Sequence, residues 1–203
     1  MTRLGTWVGV GCVLAGMFGL PWGYNTYRQK HFRNFRTVEP AILYRSGQMT
    51  LAGFEKAVVA NGIRTVITLR DADVEGERPP DADEEALCRK LDVRHVRLRP
   101  QNWWTESAGS APADANVQRF LAVMDNPANY PVLVHCFAGI HRTGAYVSIY
   151  RMEYEHWSNA KALQELRACG YRHLDDEWDV LGYLESYRPR WSREGGTEAQ
   201  ERR

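Results

Sequence analysis

Ten consecutive residues constrain this chain more than any other feature: His135-Cys136-Phe137-Ala138-Gly139-Ile140-His141-Arg142-Thr143-Gly144. The apolar run Pro131-Val132-Leu133-Val134 precedes them and a helix-like stretch over residues 145–156 follows. A buried strand that turns tightly into a helix start brings loop N–H groups and the helix N-terminus onto one point, where negative charge is favoured. Cys136 stands at that point, in a field that lowers a thiol toward its reactive thiolate. Arg142 presents a planar fork that can grip two phosphate oxygens. Gly139 lets the backbone turn so that its amides face inward. Thr143 offers a hydroxyl near the sulfur, suited to steadying it as a leaving group, and His135 is read as fixing the loop rather than acting as a base. Phe137, Ala138, Ile140 and His141 complete the expected anion cradle, with His141 either tuning specificity or simply solvated.

The flanks give this loop a setting. Residues 41–44, 63–69, 93–98 and 131–134 read as strands, rich in β-branched and apolar side chains. Between them fall a helix capped by Thr50 and stopped by Asn61-Gly62, a helix over residues 83–91, and a helix capped by Asp114 and running through Val117, Phe120, Leu121 and Met124. Three further helices are expected over residues 145–156, 160–169 and 176–187. Alternation of this kind predicts an α/β fold: a central, mostly parallel sheet of four to five strands flanked by helices, with the anion loop between the last strand and its helix. Right-handed crossovers put the loops after the strands on one edge, the edge where such sheets bind ligands. Loops 70–83 and 101–113 therefore share a rim with the cysteine loop. Trp103 and Trp104 either wall the cleft or pack in the core, and Arg70, Arg97 and Arg99 are either a basic rim or, as is ordinary, solvated strand-end charges.

Composition limits the partners. In 203 residues, 26 basic side chains oppose 25 acidic ones for a net charge of +1, so no global field points to nucleic acid. Cys12, Cys88, Cys136 and Cys169 contain no CxxC pair, which suggests neither a zinc site nor a disulfide framework. No metal or cofactor is expected.

Residues 4–20 carry no charge and end at Pro21-Trp22, at the short edge of what crosses roughly 30 Å of hydrocarbon. A membrane-anchor helix within residues 1–27 is expected, with Trp22, Tyr24 and Tyr27 as interfacial aromatics; a cleaved signal peptide leading to export is the alternative. Arg28, Lys30, Arg33 and Arg36 after the run would keep the following part cytoplasmic. The expected organisation is thus an anchor at 1–27, a domain at 31–191 and a flexible tail at 192–203.

The pattern His-Cys-x-x-Gly-x-x-Arg-Thr-Gly resembles the signature of the cysteine-dependent protein tyrosine and dual-specificity phosphatases. Leu43-Tyr44-Arg45-Ser46-Gly47-Gln48 and the stretch from Gly62 to Arg70 are similar to the compact, atypical dual-specificity branch of plants, fungi and bacteria. The resemblance implies hydrolysis of phosphomonoesters through a phosphocysteine on Cys136, with phosphorylated proteins or inositol phosphates as substrates. It also implies an acid on the loop before the helix that leads to the cysteine strand, usually an aspartate. Here that loop carries Glu106, with Asp114 at the following helix start, and both are candidates. A phosphate-binding pseudophosphatase is the alternative that the missing aspartate raises.

Overall fold

A computed structural model of the chain describes residues 17, 19–72, 74, 76–105 and 110–192. Five strands, β1 (Arg36–Glu39), β2 (Leu43–Ser46), β3 (Thr65–Thr68), β4 (Arg94–Arg97) and β5 (Val132–His135), form one sheet in the order β1-β2-β5-β3-β4. All pairings are parallel except β1 with β2. The α/β expectation holds, and β1 is the strand it lacked. That edge strand is four residues long, irregular between Thr37 and Glu39, and half exposed, so it shows little alternation.

Among the described residues, seven α-helices accompany the sheet: α1 (Leu20–Phe32), α2 (Leu51–Asn61), α3 (Ala82–Lys90), α4 (Pro112–Met124), α5 (His141–Tyr154), α6 (Asn159–Ala168) and α7 (Trp178–Ser186). The expected ends of α2 are present: the Thr50 hydroxyl accepts from the Gly53 N–H, and Gly62 takes the left-handed conformation at φ 61°. Asp114 is not a cap. Pro112 takes the first turn of α4 after Ala111, where its missing N–H costs nothing, and Asp114 follows inside the helix.

Successive residues of the buried strands face opposite sides of the sheet. Val66 and Leu133 pack with Phe54, Val58 and Cys88 under α2 and α3. Ile67, Val132 and Val134 pack with Phe120, Ile149 and Leu163 under α4, α5 and α6. Helix α5 is buried around most of its circumference, as befits a helix inside the larger layer.

The register decides where function can sit. Ser46 of β2 and Thr68 of β3 both align with His135 of β5, and Thr68 aligns with Arg97 of β4. Four strands therefore end together, and the loops leaving them converge on one edge.

Among the described residues, no helix is long and apolar enough to cross a membrane. Most of residues 4–20, where the anchor was expected, lies outside the described residues. Trp22, Tyr24 and Tyr27 lie exposed on α1, a helix with no buried residue.

Candidate active site

β5 delivers His135 and Cys136 to the sheet edge, and the chain enters α5 only five residues after the cysteine. The helix begins at His141, earlier than the sequence suggests, so Arg142 and Thr143 belong to its first turn. Their N–H groups are among the donors that a helix start leaves unpaired, which strengthens the anion site.

The loop is held from outside by its carbonyls. Phe137 O accepts from the Gln48 N–H at 2.9 Å, Ala138 O from Asn34 Nδ2 at 2.9 Å, and Gly139 O from Arg45 Nη2 at 2.9 Å. With these oxygens turned outward, the N–H groups of the same peptides are free to turn inward. Gly139 has φ 74°, and a Cβ there would stand 2.3 Å from Gly47 N, so both its conformation and its space require glycine. Residues 34 and 45–48, which carry no chemistry in the sequence reading, are the frame of the loop. Asn34 gave no signal at all; Arg45, Ser46, Gly47 and Gln48 gave one only through family resemblance.

Cys136 is nearly fully buried, and its sulfur accepts from the Gly139 N–H at 3.2 Å. Burial alone would raise the thiol. The Thr143 hydroxyl and amide, the Gly139 amide and the charge of His135 outweigh it, so the thiol titrates below its ordinary value. The Thr143 hydroxyl is itself buried and has no other partner among the described residues. Cys88 shows the opposite case: burial and the nearby Glu84, Glu85 and Asp81 push its thiol up to about 12. Arg142 donates to Leu69 O at 2.8 Å, which fixes its guanidinium at the end of β3 beside the cysteine loop.

Arg142 divides the surroundings into two sides. On one lies a cleft of about 280 Å³ lined by Leu69, Leu98, Trp103, Tyr146 and Tyr171, together with His141, Glu177 and Asp179. Trp103 satisfies both of its sequence readings, since it is buried against Tyr146 and Tyr183 and also walls this cleft. Trp104 stays half exposed, edge-on to Trp178. His141 packs on Tyr171, with ring centroids 4.4 Å apart, and the Tyr171 hydroxyl donates to Glu177.

On the other side Arg70, Asp71, Arg99 and Phe137 share a pocket of about 310 Å³ with Arg142. Arg33 and Arg70 lie over the exposed Phe137 ring at 3.9 and 5.3 Å. Arg97 does not join this rim. It turns back toward α3, where Asp81 and Glu85 accept from it at 2.9 and 2.8 Å.

The two sequence candidates for the acid fare differently. Glu106 lies outside the described residues. Asp114 accepts from the Tyr183 hydroxyl at 2.6 Å and lines a groove with Glu153, Tyr187 and Arg190 whose lining does not include Arg142. The described carboxylates that share a pocket with Arg142 are Asp71, Glu177 and Asp179. Asp71 caps the Ala72 N–H and faces Arg99, Glu177 is engaged by Tyr171, and Asp179 has no hydrogen-bond partner among the described residues. Among the described residues, no group of three or more His, Cys, Asp or Glu side chains is arranged to hold a metal ion.

Comparison with known proteins agrees with this architecture. A family described as a DSP-PTPase phosphatase fused to NAD+ kinase matches residues 26–180. The dual specificity protein phosphatase TpbA of Pseudomonas aeruginosa is 37% identical over 119 residues, covering 52% of this chain and 55% of that protein. The chain thus spans about half the length of this curated relative. The crystal structure of P. aeruginosa TpbA superposes with a TM-score of 0.58 at 23% identity, covering 76% of this chain and 85% of that one. The core catalytic domain of the PP-IP phosphatase SIW14 from S. cerevisiae gives 0.58 at 21% identity, covering 84% and 94%.

Proposed function

The chain belongs to the family of DSP-PTPase phosphatases found fused to NAD+ kinase, an atypical dual-specificity branch, and on that premise we propose that it hydrolyses phosphomonoesters through a phosphocysteine on Cys136. One observation carries the reading: a buried sulfur that accepts from the Gly139 amide and is held below its ordinary value, on a loop entering α5 beside an arginine anchored to Leu69 O. Arg142 and the loop amides bind the phosphoryl oxygens and place phosphorus in line with Sγ. The thiolate attacks phosphorus, the P–O bond to the leaving group breaks, and an acid protonates the departing oxygen. Water then attacks the phosphocysteine, releasing phosphate, while the Thr143 hydroxyl stabilises the thiolate that leaves.

Phosphorylated protein side chains are the substrates favoured by the apolar, aromatic-lined side of the cleft, which suits an aryl leaving group. The acid lies between Asp179, which lines that side, and Glu106, named by the sequence alone. Leaving-group dependence separates them, because loss of the acid slows esters of weakly acidic phenols and spares activated ones.

Inositol phosphates form a second reading. Arg33, Arg70, Arg99 and Arg142 near the mouth favour it, and SIW14, of similar fold, is described as a PP-IP phosphatase. The deciding experiment measures metal-free, vanadate-sensitive turnover of para-nitrophenyl phosphate, then phosphate release from phosphotyrosine peptide and inositol phosphates side by side. Turnover vanishes in Cys136→Ser on this mechanism; undiminished turnover in that variant refutes it.

A further inference from the structure

A second polar cluster lies directly behind the cysteine loop, and neither the loop motif nor the proposed reaction accounts for it. Glu84 on α3 has a side chain only 2% exposed, and its Oε1 stands 2.6 Å from His135 Nε2. The other ring nitrogen, Nδ1, faces Cys136 O at 3.4 Å. We propose that Glu84 is a positioning residue for the nucleophile: it clamps His135 from behind and, through that ring, fixes the charge and geometry under the Cys136 sulfur. This rests on the reading of Cys136 as nucleophile given above.

A carboxylate buried at this depth costs several kcal/mol unless its partners are well placed, and a packed apolar side chain would serve folding as well or better. Its partners come from three separate elements. His135 arrives from β5, His95 Nε2 from β4 at 4.0 Å, and Gln48 Nε2 from the loop after β2 donates to Oε2 at 3.2 Å. On the α3 side stand Asp81, Glu85 and Cys88. Arg97 pairs with Asp81 and Glu85 and leaves Glu84 to the histidine, while His95 also faces Asp81 at 3.4 Å. Burial would discharge His135, but the Glu84 charge prevails and the ring titrates above its ordinary value. The charge so kept is one of the influences that lower the Cys136 thiol.

The same carboxylate reaches the rim. Gln48 Oε1 accepts from Arg70 Nη1 at 2.7 Å, and Arg70 lies over Phe137 of the cysteine loop. Glu84 thus braces the loop at its root and at its mouth.

The test reads the thiol itself and needs no turnover. Alkylation of Cys136 by iodoacetamide is followed across pH in the full chain, with mass spectrometry of the Cys136 peptide as readout. In Glu84→Gln the midpoint rises by about one pH unit, in His135→Asn it rises equally, and the double variant adds nothing further. Glu84→Asp keeps the charge and holds the midpoint near that of the wild type. An unmoved midpoint in Glu84→Gln, or shifts that add in the double variant, overturns the proposal. Should Glu84→Gln fail to fold, a His135→Asn midpoint equal to wild type overturns it, and a raised midpoint there with a wild-type value in Glu84→Asp supports it. A chain that shows these shifts yet hydrolyses no phosphate ester refutes the phosphatase reading and leaves this one standing.

Discussion

Two ion-pair networks in this molecule have almost the same ingredients and different consequences. Each buries one glutamate to 2% exposure: Glu84 behind the cysteine loop and Glu153 on α5. Glu84 faces His135, whose other ring nitrogen faces Cys136 O. Glu153 accepts from the Tyr187 hydroxyl at 2.6 Å and from Arg190 Nε at 2.8 Å, and Arg190 also reaches Asp125 at the end of α4. The second network ties residues 187–190 to α4 and α5, and the bonds of Glu153 and Arg190 described above include no residue of the cysteine loop. A buried carboxylate therefore does not by itself mark a functional site; what its partner is bonded to decides.

The widest separation is expected in turnover at acidic pH. Glu84→Gln lowers kcat/KM there by about tenfold, since the thiolate fraction falls with each unit by which the thiol rises, whereas Glu153→Gln stays within about twofold. A pH profile of kcat/KM for both variants makes the measurement, and equal losses would break the comparison. Stability separates the networks less widely. Asp81, which burial alone would raise, is held down at about 2 by His95, whose Nε2 stands 3.4 Å away, and by Arg97, which donates to it. Asp125 is held below its ordinary value first by Arg190.

Both folded values lie below that of an unfolded aspartate, about 3.9, so each contribution is complete above that pH and is lost as pH falls through the folded value. His135, raised when folded, runs the other way and loses its contribution as pH rises through its folded value. Between pH 5 and 2, denaturant melts should show about 2 kcal/mol lost through Asp81, and Arg97→Met should remove most of that slope. Arg190→Met should flatten it less, because its carboxylate is half exposed and screened. The reverse ranking would place the tighter network at the chain's end. The smallest effect concerns Asp114: Asp114→Asn should leave kcat/KM and its leaving-group dependence within about twofold of wild type, a result that steady-state assays can check.

What was legible in the sequence follows from how local each signal is. Cys136, Gly139, Arg142 and Thr143 lie on one continuous loop, so their convergence could be read without knowing the fold. Thr50 and Gly62 were likewise local, each satisfying backbone groups within one turn. Asp114 misled because an aspartate near a helix start competes with Pro112 for the same boundary, and the proline prevailed. Arg97 stood as a candidate for the rim beside the plainer reading of a solvated strand-end charge, because a four-residue strand does not reveal which of its faces meets a helix. The clamp on His135 was out of reach for another reason. Glu84 lies on a helix with three acidic residues in its first turn, a pattern that normally reads as dipole compensation at the surface. Only the packing of α3 against the ends of β4 and β5 turns one of those acids inward.

The outward carbonyls of the cysteine loop have one more consequence. Gln48, Asn34 and Arg45 hold Phe137, Ala138 and Gly139 from the protein side, and none of the three lines the aromatic cleft beside Arg142. The aromatic side of the mouth can then vary by mutation while those three carbonyl bonds stay in place. The frame that shapes the cysteine loop and the aromatic wall beside Arg142 thus sit on separate pieces of this fold.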